Sequence, residues 1–233
     1  MSIDLYWSDD VVRKFPGLAV AIGNITNVSV EKENNKIKEL KESVCKEVLS
    51  KYSLDTLKDN PIVRAYRDLY WRIGIDPTKT RPSGEALLRR VLRGNPVPTL
   101  LTAVDAYNLA SIKTIIPISG FDMARLHPPL NIRFARKDEE FIGIGATKPI
   151  KLDERMLVLT DSERVLCIYP HRDSEHTKIT EDTKEILIVA YGAQGIGRQQ
   201  LEDAVQLALK YINTVCGGEI GFIRFFSSVP AGV

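Results

Sequence analysis

The chain has no run of about eighteen apolar residues, so no segment reads as a membrane span. Cysteine is scarce. Cys45, Cys167 and Cys216 are odd in number and far apart, which argues against a disulfide framework and fits a reducing compartment. The opening stretch, MSIDLYWSDDVVRKF, carries acids and no apolar centre, so it does not read as a secretory signal. Together these absences give the expectation of a cytoplasmic protein without a membrane partner. Low-complexity tracts and internal repeats are missing, as are a P-loop, a nucleophile elbow and a Ser-His-Asp pattern. Hydrolysis by such a chain would rest on positioning and water rather than on a recognisable nucleophile.

Metal and cofactor signals are also lacking. CIYPHRDSEHTKITEDT (167–183) holds Cys167, His171 and His176 at spacings that match no common zinc pattern. No metal or other cofactor is expected. The two histidines suit a general base near neutral pH, and the segment reads as a long loop, the kind that often carries function. YGAQGIGRQQ (191–200) follows a strand and opens a helix, but its glycines run G-x-x-G-x-G and no βαβ unit surrounds them. A dinucleotide site is not expected; an anion site or a plain turn both fit.

What is present is an ordinary globular balance, 44% apolar and 27% charged, with a net charge of only +2. A single domain over 1–233 is expected, with residues 1–59 as an N-terminal strand and helix extension and 60–226 as the core. Residues 15–30 read as a strand, and 31–52 place Ile37, Leu40, Val44 and Val48 at helical spacing. Asn60 followed by Pro61 is a helix start, and Gly74 a stop. A loop over 76–82 precedes a helix with Leu87, Leu88, Val91 and Leu92 inward, and Pro98 can open the next. After Pro117 short apolar runs take over, at 130–134, 140–145, 156–160, 164–169 and 184–190, with TDSER as a hairpin turn. A helix near 197–214 and a strand over 219–226 close the chain. Helices come first, then strands, then helix and strand, which is an α+β order.

Two constellations invite chemistry. Asp105, Asn108 and Ser111 share a helix face, and a carboxylate beside an amide can hold an amine. Equally, Asp105 can cap the helix or pair with Arg89 or Arg90. Next, IIPISGFD (115–122) reads as a strand ending in a turn at Ser119 and Gly120, where a hydroxyl and an amide could meet a substrate. Separately, residues 60–93 hold eight basic side chains, Arg64, Arg67, Arg72, Lys79, Arg81, Arg89, Arg90 and Arg93, against the acids Asp68, Asp76 and Glu85, a local excess of five. Such clustering fits a phosphate backbone, and it fits a solvated face of ion pairs.

The central segment resembles the B3/B4 editing domain of the bacterial phenylalanyl-tRNA synthetase β-subunit. The shared words are Val104-Asp105, Asn108, Pro117 and Phe121-Asp122, in the order VD-x-x-N-x(8)-P-x-x-x-FD. LLRRVLRGNPVPTLLTAVD leads into them; MLVLTDSERVLCI, with Asp161 at its turn, and SEHTKITEDTKEILI, with Glu175-His176 and Thr183, follow. The likeness spans roughly residues 85–190. It implies an α+β fold of layered β/β/α architecture, a mixed or antiparallel sheet packed with helices, in a free-standing B3/B4 protein. It also implies hydrolysis, in trans, of the ester of a mischarged transfer RNA. Asn108 falls on a family pocket residue, Ser119 where the family has an editing His, and Val189 near a family Glu that reads a tyrosine hydroxyl. A valine cannot read a hydroxyl, so tyrosine is not the expected side chain.

On that resemblance the expected roles divide as follows. Ser119, His171 and His176 carry catalysis; Asp105, Asn108, Gly120 and Thr183 bind substrate; Arg64, Arg67, Arg81, Arg89 and Arg90 hold RNA. The expected partners are mischarged transfer RNA and a synthetase. The alternative is a non-catalytic module that binds RNA or an amino acid as an adaptor to a synthetase.

Overall fold

The computed structural model describes residues 3–228, so the two ends of the expected 1–233 domain lie outside the described residues. In chain order the elements are β1 (Leu5–Trp7), α1 (Asp9–Lys14), β2 (Ala19–Thr26), α2 (Asn35–Lys51), α3 (Leu54–Leu57), α4 (Pro61–Arg72), α5 (Ser83–Leu92) and α6 (Thr102–Thr114). There follow β3 (Ile118–Asp122), β4 (Leu130–Phe134), β5 (Glu140–Phe141), β6 (Ile150–Lys151), β7 (Leu157–Thr160), β8 (Val165–Ile168), β9 (Arg172–Asp173), β10 (Glu185–Tyr191), α7 (Arg198–Cys216) and β11 (Glu219–Ser227).

The fold is α+β. A four-stranded antiparallel sheet runs β11-β2-β10-β3, and a five-stranded mixed sheet runs β1-β4-β7-β8-β9, with β1 parallel to β4. In β2, Ala19 to Ile25 are all buried, and so is nearly all of β10; such unbroken burial means both faces are covered. One cover is α7, which approaches so closely that a Cβ on Gly23 would stand 2.7 Å from Val205. The other is the five-stranded sheet, which sends Leu130, Ile132, Leu157, Leu159 and Leu166 into the same core. Its outer face carries a smaller cluster of Ala135, Phe141, Leu152, Val158, Val165 and Ile168, beside the β5–β6 pair. The layers are therefore helix, sheet, sheet. The N-terminal segment supplies β2, which lies between β10 and β11 rather than at a margin.

Local chemistry explains most boundaries. Asn60 Oδ1 accepts from the Ile62 and Val63 amides, and Pro61 opens α4. Asp161 Oδ1 accepts from the Glu163 and Arg164 amides, which closes the β7–β8 hairpin. Three expectations need correction. The helix expected at Pro98 begins at Thr102, because Asp105 Oδ1 takes the Leu100 amide at 3.0 Å and holds the preceding residues extended. Ser119 and Gly120 lie inside β3, not in a turn at its end, because the strand runs on against β10 to Asp122. Finally, 167–183 is not one loop: it contains the end of β8, then β9, then a 3₁₀ turn over Glu175–Thr177.

Candidate functional site

β3 and β9 are edge strands of different sheets, and one hydrogen bond joins them. Ser119 Oγ donates to Asp173 Oδ1 at 2.6 Å. Side chains alternate across β3. Ser119 turns toward the five-stranded sheet. Gly120 turns the other way, where a Cβ would stand 2.7 Å from the Tyr107 ring of α6; only glycine admits that approach. Opposite Ser119 on β10 is Val189, in direct register. Tyr191, two residues on, shares that face and meets Tyr169 edge to face at 4.8 Å between ring centres. Cys167 of β8 is the register partner of Asp173. The result is a polar knot of Ser119, Asp173, Cys167 and Tyr191 set between two apolar sheets.

The electrostatics of this knot are unusual. Burial pushes the Asp173 carboxyl up from 3.8 to about 6, and the hydrogen bond from Ser119 with the nearby Cys167 thiol offsets only part of the effect. Burial first, and the nearby Asp173 charge second, raise the Cys167 thiol well above its ordinary value, so it stays protonated. Asp173 has no ion pair among the described residues. Its sequence neighbour Arg172 packs on Gly143 and reaches toward the Ile144 carbonyl instead. Because the Ser119 proton is committed to Asp173, the lone pairs of Oγ are what Ser119 can present to a ligand.

The other expected site residues are placed as follows. Asp105 is buried, and Lys41 Nζ meets its Oδ2 at 2.7 Å; its cation is thus Lys41, not Arg89 or Arg90. Ser111 Oγ donates to the Ile116 carbonyl at 2.6 Å, across the turn between α6 and β3. Ile115 holds φ 63° in that turn, a left-handed conformation that a branched side chain rarely adopts. Asn108 is half-buried on α6, with no hydrogen bond to Ser119 or Asp173 among the described residues. Thr183 is buried; it donates to Asp122 Oδ2 at 2.9 Å and accepts from the Thr180 amide, which ties its turn to the end of β3. His171 and His176 line different clefts. His171 borders one of about 340 Å³ with Ile75, Lys79, Ile150, Met156 and Arg172, and burial together with Arg172 lowers its pKa. His176 borders a smaller one of about 160 Å³ with Phe141, Arg164 and Ser174.

The arginines divide into two groups. Arg67 holds the Glu85 carboxylate with two hydrogen bonds, Arg89 Nε meets it at 2.6 Å, and Arg81 Nε stands 3.9 Å away. Burial pushes Glu85 up, but the hydrogen bonds from Arg67 and Arg89 outweigh it and hold the carboxyl below the ordinary range. Arg64 and Arg90 face outward, Arg64 on Asp59 and Arg90 on the Pro96 carbonyl. Sequence reasoning did not single out Asp173 or Lys41. Among the described residues no group of histidine, cysteine and acidic side chains is placed to hold a metal, and no helix is long and apolar enough to cross a membrane.

Known proteins resemble this chain over its central part. The B3/4 domain family matches residues 65–217. The phenylalanine–tRNA ligase β-subunit of Francisella tularensis is 25% identical over 156 residues, 57% of this chain and 20% of that protein. Its counterpart in Coxiella burnetii is 31% identical over 97 residues, 42% of this chain and 12% of that protein. The chain thus spans about a fifth or less of the length of these relatives. A crystal structure of an N-terminal fragment of the Pyrococcus horikoshii phenylalanyl-tRNA synthetase β-subunit aligns with 94% of this chain and 50% of that one, at 16% identity and a TM-score of 0.48. With the family match covering more than half of its length, the chain belongs to the B3/4 domain family.

Proposed function

We propose that this protein, acting as one unit over 1–233, binds transfer RNA and hydrolyses the ester of mischarged aminoacyl-tRNA in trans. The observation that carries the reading is the Ser119–Asp173 hydrogen bond at 2.6 Å, on the strand where the family resemblance sets an editing residue. An aminoacyl ester is already activated, so placing a water molecule against its carbonyl supplies much of the rate. With its proton on Asp173, Ser119 Oγ accepts a hydrogen bond and can orient such a water. The water oxygen bonds to the ester carbon, its proton passes to His171 or His176, and the bond to the ribose oxygen breaks as that oxygen takes a proton. Asn108 and Thr183 border the amino acid in this reading, Gly120 admits the Tyr107 ring on the opposite face of β3, and Val189 favours side chains without a hydroxyl. Arg64 and Arg90 meet the RNA backbone, with Arg67, Arg81 and Arg89 adding field from around Glu85.

A panel of mischarged transfer RNAs tests the reading. Ester cleavage is expected on at least one member, reduced about 100-fold by Ser119→Ala and abolished by Ser119→Ala with Asn108→Ala, while RNA binding persists. Turnover unchanged in the double variant would discard the site. Ser119 is only 5% exposed, which favours a second reading: a module that binds RNA or an amino acid, as an adaptor to a synthetase, without turnover. RNA binding with no cleavage of any panel member selects that reading.

A further inference from the structure

Among the described residues, several acids other than Asp173 that are withdrawn from solvent each have a cation or several amides. Glu85 has Arg67 and Arg89, Asp105 has Lys41, and Glu139 has Arg133. Asp161 accepts from the amides of His127, Glu163 and Arg164. Asp122 takes the Ala124 amide and the Thr183 hydroxyl, with Arg125 at 3.5 Å. Asp173 has only the Ser119 hydroxyl, with the Cys167 thiol close by and donating to the Ile168 carbonyl. A carboxylate kept from water with only neutral groups beside it is undercompensated, and such groups mark sites where a ligand supplies the missing charge.

We propose that Asp173 is the receptor for the substrate's α-ammonium group, with Ser119 Oγ as the second acceptor. The proposal rests on the deacylation reading for the identity of the amine. An ammonium carries three donors and no acceptor. Asp173 offers carboxylate oxygen, and Ser119, whose own proton is on Oδ1, offers a lone pair beside it. Asp173 is half-buried and lies on the edge strand of its sheet, with Ser119 on the edge strand of the other.

The surroundings do not supply a competing charge. β8 brings the Cys167 thiol, β10 the Tyr191 hydroxyl and α6 the Tyr107 hydroxyl; burial raises the pKa of all three, so each is neutral at pH 7. On the chain around Asp173, Arg172 is turned to Gly143 and Ile144, while Glu175 is bonded to the Gly145 amide and to Lys178. Asp105, the carboxylate that sequence favours for an amine, already holds Lys41.

The test is binding of amino-acid amides, which keep the ammonium and mimic the uncharged ester, each beside its desamino counterpart. At pH 7.5 the wild-type protein is expected to bind an amide at least tenfold more tightly than the desamino compound, and Asp173→Asn to erase that difference while its thermal unfolding stays cooperative. In the wild-type protein the preference is expected to fall about tenfold per unit below pH 6, as the carboxyl takes up its proton. That second arm decides the matter if the variant fails to fold. Equal binding of amide and desamino compound, or a preference that persists unchanged at pH 5, overturns the proposal. Free amino acids separate the sources of the amine. Weaker binding than the amides fits an aminoacyl ester. Equal binding keeps Asp173 as the amine receptor and removes the aminoacyl-tRNA reading instead.

Discussion

Glu85 and Asp173 are both carboxylates withdrawn from water, in two halves of one molecule, and they are treated in opposite ways. Glu85 opens α5 among helices and has two guanidiniums bonded to it with a third nearby; its carboxyl lies below the ordinary range. Asp173 lies where two sheet edges meet, has no cation, and lies at about 6. Three cations around one anion make the Glu85 region a closed fastener with charge to spare. The Asp173 region is a charge waiting for a partner. Burial alone therefore does not mark a site: what matters is whether the fold itself compensates the buried group.

The largest expected effect is at Glu85. Glu85→Gln leaves Arg67, Arg81 and Arg89 crowded without their anion and is expected to cost about 3–5 kcal/mol in urea unfolding. A loss under about 1 kcal/mol would break the comparison from the Glu85 side. Asp173→Asn is expected to do the reverse and stabilise the protein at pH 8 by about 1–3 kcal/mol. The sign follows from linkage. Folding raises this carboxyl from 3.8 to about 6, so the folded protein holds the proton more tightly, and the ionised form above pH 6 is the destabilised one. The variant's advantage therefore shrinks as pH falls through 6 and is gone below 3.8. Denaturant midpoints from pH 4 to 8 measure it, and destabilisation at pH 8 would contradict the account.

Smaller effects sharpen the same contrast. Removing the α4 cap with Asn60→Ala is expected to cost about 1 kcal/mol, a scale against which both carboxylates can be judged. Among the arginines, Arg90→Ala is expected to weaken RNA binding and reduce its salt slope by about 0.7–0.9, with little change in stability. Arg89→Ala is expected to lower stability first, because its guanidinium is committed to Glu85. Binding isotherms at several salt concentrations, beside melting curves, distinguish the two.

The parts of the fold legible in sequence are those fixed by neighbours in the chain. Asn60 with Pro61 writes the start of α4, Asp161 writes the β7–β8 turn, and the apolar run 184–190 writes β10. What escaped depends on residues far apart. β1 is three residues long and exists because β4 pairs with it in parallel. The start of α6 is set by Asp105 reaching back to Leu100. Asp105 reads as a ligand group in sequence, yet its carboxylate is taken by Lys41 from another helix. Asp173 sits in a polar stretch with no local mark, and its partner Ser119 is 54 residues away on the other sheet. Ser119 stands out in the sequence as part of an expected turn after a strand, whereas pairing with the distant β10 keeps it inside β3.

One measurement bears most directly on the difference between the two carboxylates: a carbon-detected NMR titration of the Asp173 carboxyl, with and without a saturating amino-acid amide. The account predicts a midpoint near 6 in the free protein, moving down when the ammonium binds. A midpoint at the ordinary 3.8, or one that the amide leaves unmoved, would contradict it.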